Sequence, residues 1–150
     1  MPSSTESVKF DNCDMELYVS LPDGTGPFAA AVVIQHAGGV DVFTRAMADR
    51  LAAAGYAAAA PDLYHRRRSA ADFDDKKSLM QYLKDANPSL DDMNILDAEL
   101  TRCGKAHEFY TYPNAGHAFM DFTRDERYRE EASELSWPRT LDFFARHLRV

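Results

Sequence analysis

The sequence predicts an α/β fold: a single domain over residues 1–150 with a reduced, mostly parallel central sheet covered by helices. Three observations lead there. A continuous apolar run, Ala29 to Gln35 with Val32, Val33 and Ile34 at its centre, suits a strand covered on both faces. A helical repeat of Phe43, Met47, Leu51 and Ala54 follows, with Gly55 where a helix C-terminal glycine belongs. A second apolar strand, Tyr56 to Ala60, then ends at Pro61-Asp62. This β-α-β order is the unit of a doubly wound sheet, and 150 residues suffice to bury one core.

The remaining elements follow in chain order. Met1 to Ser7 reads as a loose tail. Val8 to Phe10 and Met15 to Leu21 read as short strands joined by the polar turn Asp11-Asn12-Cys13-Asp14, and Pro22 to Pro27 is a loop on composition. Ser69 to Lys84 is expected to be helical, with Ser69 and Asp72 as a capping box and Leu79 and Leu83 as an i,i+4 pair. Pro88 and Ser89 open the next helix, Met93, Leu96 and Leu100 form its buried stripe, and Gly104 closes it. His107 to Tyr112 alternates weakly and is rich in aromatics, as a strand would be. Asp125 to Leu148 is mostly helix. Its inward face carries Tyr128, Ala132, Leu135, Leu141, Phe144 and Leu148, and Pro138 kinks it or restarts it.

Composition narrows the class of function. A chain that is 45% hydrophobic and 27% charged is an ordinary globular protein, and a net charge of -7 disfavours nucleic acid or an anionic membrane as partner. The basic cluster Arg66-Arg67-Arg68 is short enough to be a solvated loop. Cys13 and Cys103 make no disulfide framework and fit no metal-ligand spacing. With no signal-peptide pattern and no apolar run of membrane-spanning length, a reduced, cytoplasmic setting is expected.

In open α/β sheets, reactive groups gather on loops at the carboxyl ends of strands. Three segments qualify. In Gln35-His36-Ala37-Gly38-Gly39 the glycine pair permits close backbone approach, so an N–H such as that of Ala37 can serve a developing oxyanion; a tight turn before a helix is the simpler reading. His117, between Gly116 and Ala118, can expose its imidazole as a general base, although a histidine like this, taken alone, is more often a surface or structural residue. Asp85, in Asp85-Ala86-Asn87-Pro88, can orient a histidine tautomer or can simply be a turn residue.

Assembled, these segments resemble the dienelactone hydrolase (carboxymethylenebutenolidase) family of α/β-hydrolases. One block of resemblance holds Val32-Val33-Ile34-Gln35-His36, Leu51 to Tyr56 and Pro61-Asp62-Leu63-Tyr64-His65-Arg66. The other holds Tyr112-Pro113-Asn114-Ala115-Gly116-His117-Ala118-Phe119 and Trp137 to Phe144. The resemblance implies a truncated α/β-hydrolase, a three-layer sandwich. It also implies a carboxylic ester hydrolase acting on a small-molecule ester or lactone through a serine or cysteine, with no metal or organic cofactor. His117 matches the family's catalytic histidine, Asp85 lies near the expected place of its acid, and Gln35, His36 and Ala37 form the oxyanion and substrate loop.

Two departures stand out. His36 occupies a position where the family has a glutamate, which points to a different ester or lactone. More seriously, no Gly-x-Ser/Cys-x-Gly turn occurs anywhere in the chain, so the nucleophile elbow is missing. Each cysteine reads as an incidental thiol. An internal deletion near residues 84–87 is the plainest account. It leaves either an impaired hydrolase or a non-catalytic α/β remnant acting as an interaction module. Loss of the central strand predicts a mixed sheet with exposed apolar faces, reduced stability and self-association through the incomplete sheet.

Overall fold

A computed structural model describes residues 1–10, 12–36, 38–65 and 90–148. Four strands form one sheet: β1 (Ser3–Phe10), β2 (Cys13–Ser20), β3 (Ala30–Val32) and β4 (Ala57–Pro61). Among the described residues three helices accompany it: α1 (Val42–Ala53), α2 (Leu90–Arg102) and α3 (Glu130–His147). The strand order is β1-β2-β4-β3.

The sheet is mixed. β1 and β2 pair antiparallel with Phe10 opposite Cys13, because only two residues join them, and Asn12 supplies a positive φ of 61° to that turn. β2 and β4 are also antiparallel, whereas β3 and β4, connected through α1, are parallel. The tail expected at Met1 to Ser7 is instead mostly strand. A polar sequence such as Ser3-Ser4-Thr5-Glu6 shows little hydrophobic pattern because β1 is exposed along its whole length.

The core lies where α1 crosses β4. Ala48 and Leu51 of α1 meet Ala58 of β4, and Trp137, Leu141 and Phe144 of α3 pack against the same cluster. Alternation along β4, with Ala58 and Ala60 buried, marks the face that the helices cover. Two further ring contacts tie α3 down. Tyr56 meets Phe144 edge-on at 5.6 Å, and the Arg50 guanidinium lies 4.1 Å from the Trp137 ring centre. The helix expected at Ser69 to Lys84 lies outside the described residues.

Several expectations need correction. The run Ala29 to Gln35 forms a strand only over Ala30–Val32 and is not covered on both faces: Val32 is 64% and Ile34 66% exposed. The physical reason is alternation: Ala31 and Val33 pack against the core, so Val32 and Ile34 point to the opposite face, which no described element covers. His107 to Tyr112 is not a strand, because no described strand is placed to ladder with it. It docks instead on α3 through alternate side chains: Glu108 pairs with Arg146 at 2.7 Å, and Arg139 lies over the rings of Tyr110 and Tyr112.

The expected stripe on α2 is not buried either, with Leu96 45% exposed. Helical spacing aligns such residues on one face, but a face is buried only where another element meets it. The last helix begins at Glu130 rather than Asp125, since turns occupy 122–127, and Leu135 is exposed. Pro138 lies within the helix and does not end it.

Candidate active site

The loop leaving β3 is a dense hydrogen-bonded turn. The Gln35 Oε1 accepts the Leu63 N–H at 3.1 Å, joining this loop to the one after β4. The His36 Nδ1 accepts the Gly38 N–H at 2.8 Å, and its Nε2 lies 2.8 Å from Asp41 Oδ2. Since Nδ1 accepts, the proton of the neutral ring is on Nε2, which donates a hydrogen bond to Asp41 Oδ2. Gly38 leaves room for the ring: a Cβ at this position would lie 2.4 Å from His36 Cε1, so a larger residue would displace the imidazole. Gly39 adopts φ +85°, which favours glycine.

Asp41 ends the turn and begins α1. Its Oδ1 accepts the Thr44 N–H at 3.0 Å and the Thr44 hydroxyl at 3.1 Å, a helix N-cap. Partial burial works against its charge, but the Thr44 N–H and the His36 imidazole outweigh that and hold its pKa below the usual value. One carboxylate thus fastens both the loop and the helix. Ala37, the expected oxyanion donor, lies outside the described residues.

The His117 loop is held by its flanks. Tyr112 packs on Phe119 with ring centres 5.3 Å apart, and Phe119 accepts the Arg129 N–H at 2.9 Å. Buried Asp121 binds the Thr123 N–H, the Thr123 hydroxyl and the Arg124 guanidinium. Asn114 and Ala118 have φ of 59° and 66°. At Ala118 that conformation costs about 1–2 kcal/mol, and it follows His117 directly. The imidazole is exposed, and no hydrogen bond joins it to another described residue.

Aromatic contacts bring the two loops together. Phe43 at the start of α1 lies 6.5 Å from the His36 ring and meets Phe122 edge-on at 5.9 Å. Asp85 lies outside the described residues, so its relation to His117 is not described. Cys13 begins β2 and Cys103 follows α2, and both are free thiols away from any strand-to-helix elbow. Cys103 contacts Glu99 and Arg102 of its own helix.

Sequence reasoning missed Asp41 and Asp121. Both carry a legible signal, an aspartate two or three residues before a threonine whose N–H it caps. Among the described residues, two clefts contain none of Gln35, His36 and His117. One of about 150 Å³ is lined by Glu16, Tyr18, Arg45 and Asp62, among others; the second, about 350 Å³, is lined by Tyr110, Arg139, Asp142, Ala145 and Arg146. No described cluster of His, Cys, Asp and Glu could hold a metal ion, and no described helix is long and apolar enough to cross a membrane.

Comparison with known proteins gives the geometry a family. The model of the dienelactone hydrolase family matches the chain in two segments, residues 15–101 and 84–148. An inferred carboxymethylenebutenolidase of Yersinia pestis is 35% identical over 71 residues, 47% of this chain and 27% of its own length. Another from Azospirillum brasilense is 38% identical over 66 residues, 44% of this chain and 29% of its own. The matched part thus spans between a quarter and a third of these relatives. The crystal structure of an inferred dienelactone hydrolase from Klebsiella pneumoniae superimposes with a TM-score of 0.77 at 19% identity, covering 97% of this chain and 99% of that one. At that identity the likeness speaks for the fold, which is that of the α/β-hydrolases. With the family model matching both blocks, the chain belongs to the dienelactone hydrolase family.

Proposed function

We propose that this chain is a hydrolase of ester or lactone bonds that retains the base of its reaction and lacks the nucleophile. His117 serves as general base, Asp85 as the acid that orients it, and Gln35, His36 and Ala37 as the oxyanion and substrate loop. The observation that carries this reading is the exposed His117 imidazole on its constrained turn, in a sequence without a Gly-x-Ser/Cys-x-Gly elbow. In a complete enzyme the histidine takes a proton from the serine or cysteine as that atom attacks the acyl carbon. Without that atom the imidazole can deprotonate only water. General-base assistance of that kind contributes about 10²–10⁴-fold, far below full enzymatic acceleration.

The two family matches, 15–101 and 84–148, support a single domain with an internal deletion near 84–87. The free thiols of Cys13 and Cys103 fit a reducing, cytoplasmic setting. A second reading, a non-catalytic interaction module that self-associates, is favoured by one observation: the exposed Val32 and Ile34 at the β3 edge.

Turnover of a simple aryl ester by the purified protein separates these readings. An impaired hydrolase gives slow release that His117→Ala abolishes. A remnant gives none above the variant. Turnover at about 1–10³ s⁻¹, the ordinary enzymatic range, would refute the missing nucleophile.

A further inference from the structure

His36 is bound on both of its nitrogens, an arrangement that fits only one protonation state. Gly38 donates to Nδ1 and Nε2 donates to Asp41, each at 2.8 Å. Around this ring the turn closes on itself: the Gly39 N–H reaches the His36 carbonyl at 3.0 Å, the Asp41 N–H reaches the Gly39 carbonyl at 3.0 Å, and the Thr44 hydroxyl also reaches Gly39 O. A second proton on the ring must go to Nδ1. It would then face the Gly38 N–H, two donors with no acceptor between them.

We propose that His36 is a positioning residue, a latch whose neutral, Nε2-protonated ring ties Gly38 to Asp41 and whose protonation at Nδ1 releases the Gly38 amide. The Asp41 contact survives protonation and strengthens as a charged pair, so the release is confined to the glycine side of the turn. The charged groups of the surrounding elements leave this intact. On α1, Arg45 is directed to the Val40 carbonyl and the Tyr18 ring. After β4, Asp62 binds the Tyr64 N–H, and His65 faces the Asp62 carbonyl. From the His117 loop, Phe122 reaches Phe43, while Asp121 is paired with Arg124. Asp41 is therefore the charged group in hydrogen-bonding contact with the ring among the described residues.

The consequence for chemistry rests on the reading of this loop as the oxyanion and substrate loop. In the closed state Gly38 spends its N–H on His36 and cannot offer it to a ligand; in the open state it can. The latch itself stands apart from any hydrolysis.

The test is an NMR titration of the full chain between about pH 8 and 5, the range in which histidine ordinarily changes charge. Long-range proton–nitrogen correlation should show the Nε2–H tautomer of His36 at the alkaline end. As the ring takes up its proton, the Gly38 amide should shift with it and lose roughly tenfold of its exchange protection, about what one net hydrogen bond supplies. His36→Asn, whose Oδ1 sits where Nδ1 was, should keep Gly38 protected at every pH. His36→Phe should leave it unprotected throughout. A Gly38 amide indifferent to the ionisation of His36 overturns the latch, as does an Nδ1–H tautomer at alkaline pH. Ester turnover, scored separately, decides the hydrolase reading and cannot rescue or sink this one.

Discussion

Asp41→Ala is the substitution for which the structure gives the firmest magnitude. The carboxylate makes three bonds: to the Thr44 N–H at 3.0 Å, the Thr44 hydroxyl at 3.1 Å and the His36 Nε2 at 2.8 Å. Loss of an N-cap costs about 1 kcal/mol, within a range of about 0.5–2. Loss of the histidine bond costs about another 1 kcal/mol. The Asp41 side chain is 33% exposed, so water can replace part of what is lost, which argues against a larger sum. The total of about 2 kcal/mol corresponds to a fall of roughly 4–8 °C in Tm for a domain of this size.

Asp41→Asn keeps the capping oxygen but sets its amide NH2 against the His36 Nε2–H, so it should lose the histidine bond alone and cost about half as much, about 1 kcal/mol. Urea unfolding monitored by circular dichroism, with the slope unchanged, measures both. The charge adds a pH signature. Its pKa is depressed in the folded protein, so folding favours the ionised form. The advantage of wild type over Asp41→Asn is full well above the ordinary value of 3.8 and disappears as pH falls through the lower folded value. If Asp41→Ala lies within about 0.3 kcal/mol of wild type, or if the asparagine variant is equally costly, the shared-anchor account fails.

Other expectations follow from burial. The Ser20 hydroxyl is fully buried with no hydrogen-bond partner among the described residues, so Ser20→Ala should be neutral or stabilise by up to about 1 kcal/mol in the same unfolding assay. A clear loss there would reveal a bond the geometry does not contain. Leu51 is 5% exposed at the junction of α1, β4 and α3, and Leu51→Ala should cost about 2–5 kcal/mol, enough to unfold a marginal domain in a thermal melt. Val32→Lys combined with Ile34→Lys should shift sedimentation velocity profiles from associated species to monomer while changing stability by no more than about 0.5 kcal/mol. Unaltered profiles would remove the β3 edge as the route of self-association.

Two described segments, β3 and residues 107–112, are held in different ways. β3 keeps one ladder, with β4, and exposes its apolar side chains. Residues 107–112 have no ladder among the described residues, yet Arg139 and Arg146 of α3 still hold Tyr110, Tyr112 and Glu108. Side-chain contacts with a helix thus persist where backbone pairing does not, because each needs only its own partner while a ladder needs a whole neighbouring strand.

By itself the sequence determined the β-α-β unit. The apolar runs around Val32 and Ala58 and the helical repeat from Phe43 to Ala54 are local patterns, and Gly55, with φ +94°, ends α1 as its position predicts. It also determined the family, through the motifs around His36, Pro61 and His117, and the lack of an elbow. Tertiary structure alone decided which apolar faces are covered. Leu96, Leu135 and Ile34 have the spacing of core residues and are exposed, because burial depends on a second element arriving and periodicity describes only one. β1 illustrates the converse. Its polar residues form a strand because β2 offers a ladder, and backbone hydrogen bonds require no apolar side chains. The bonding of His36 was invisible for a related reason: both its partners lie within five residues, but only the folded turn aims them at the ring.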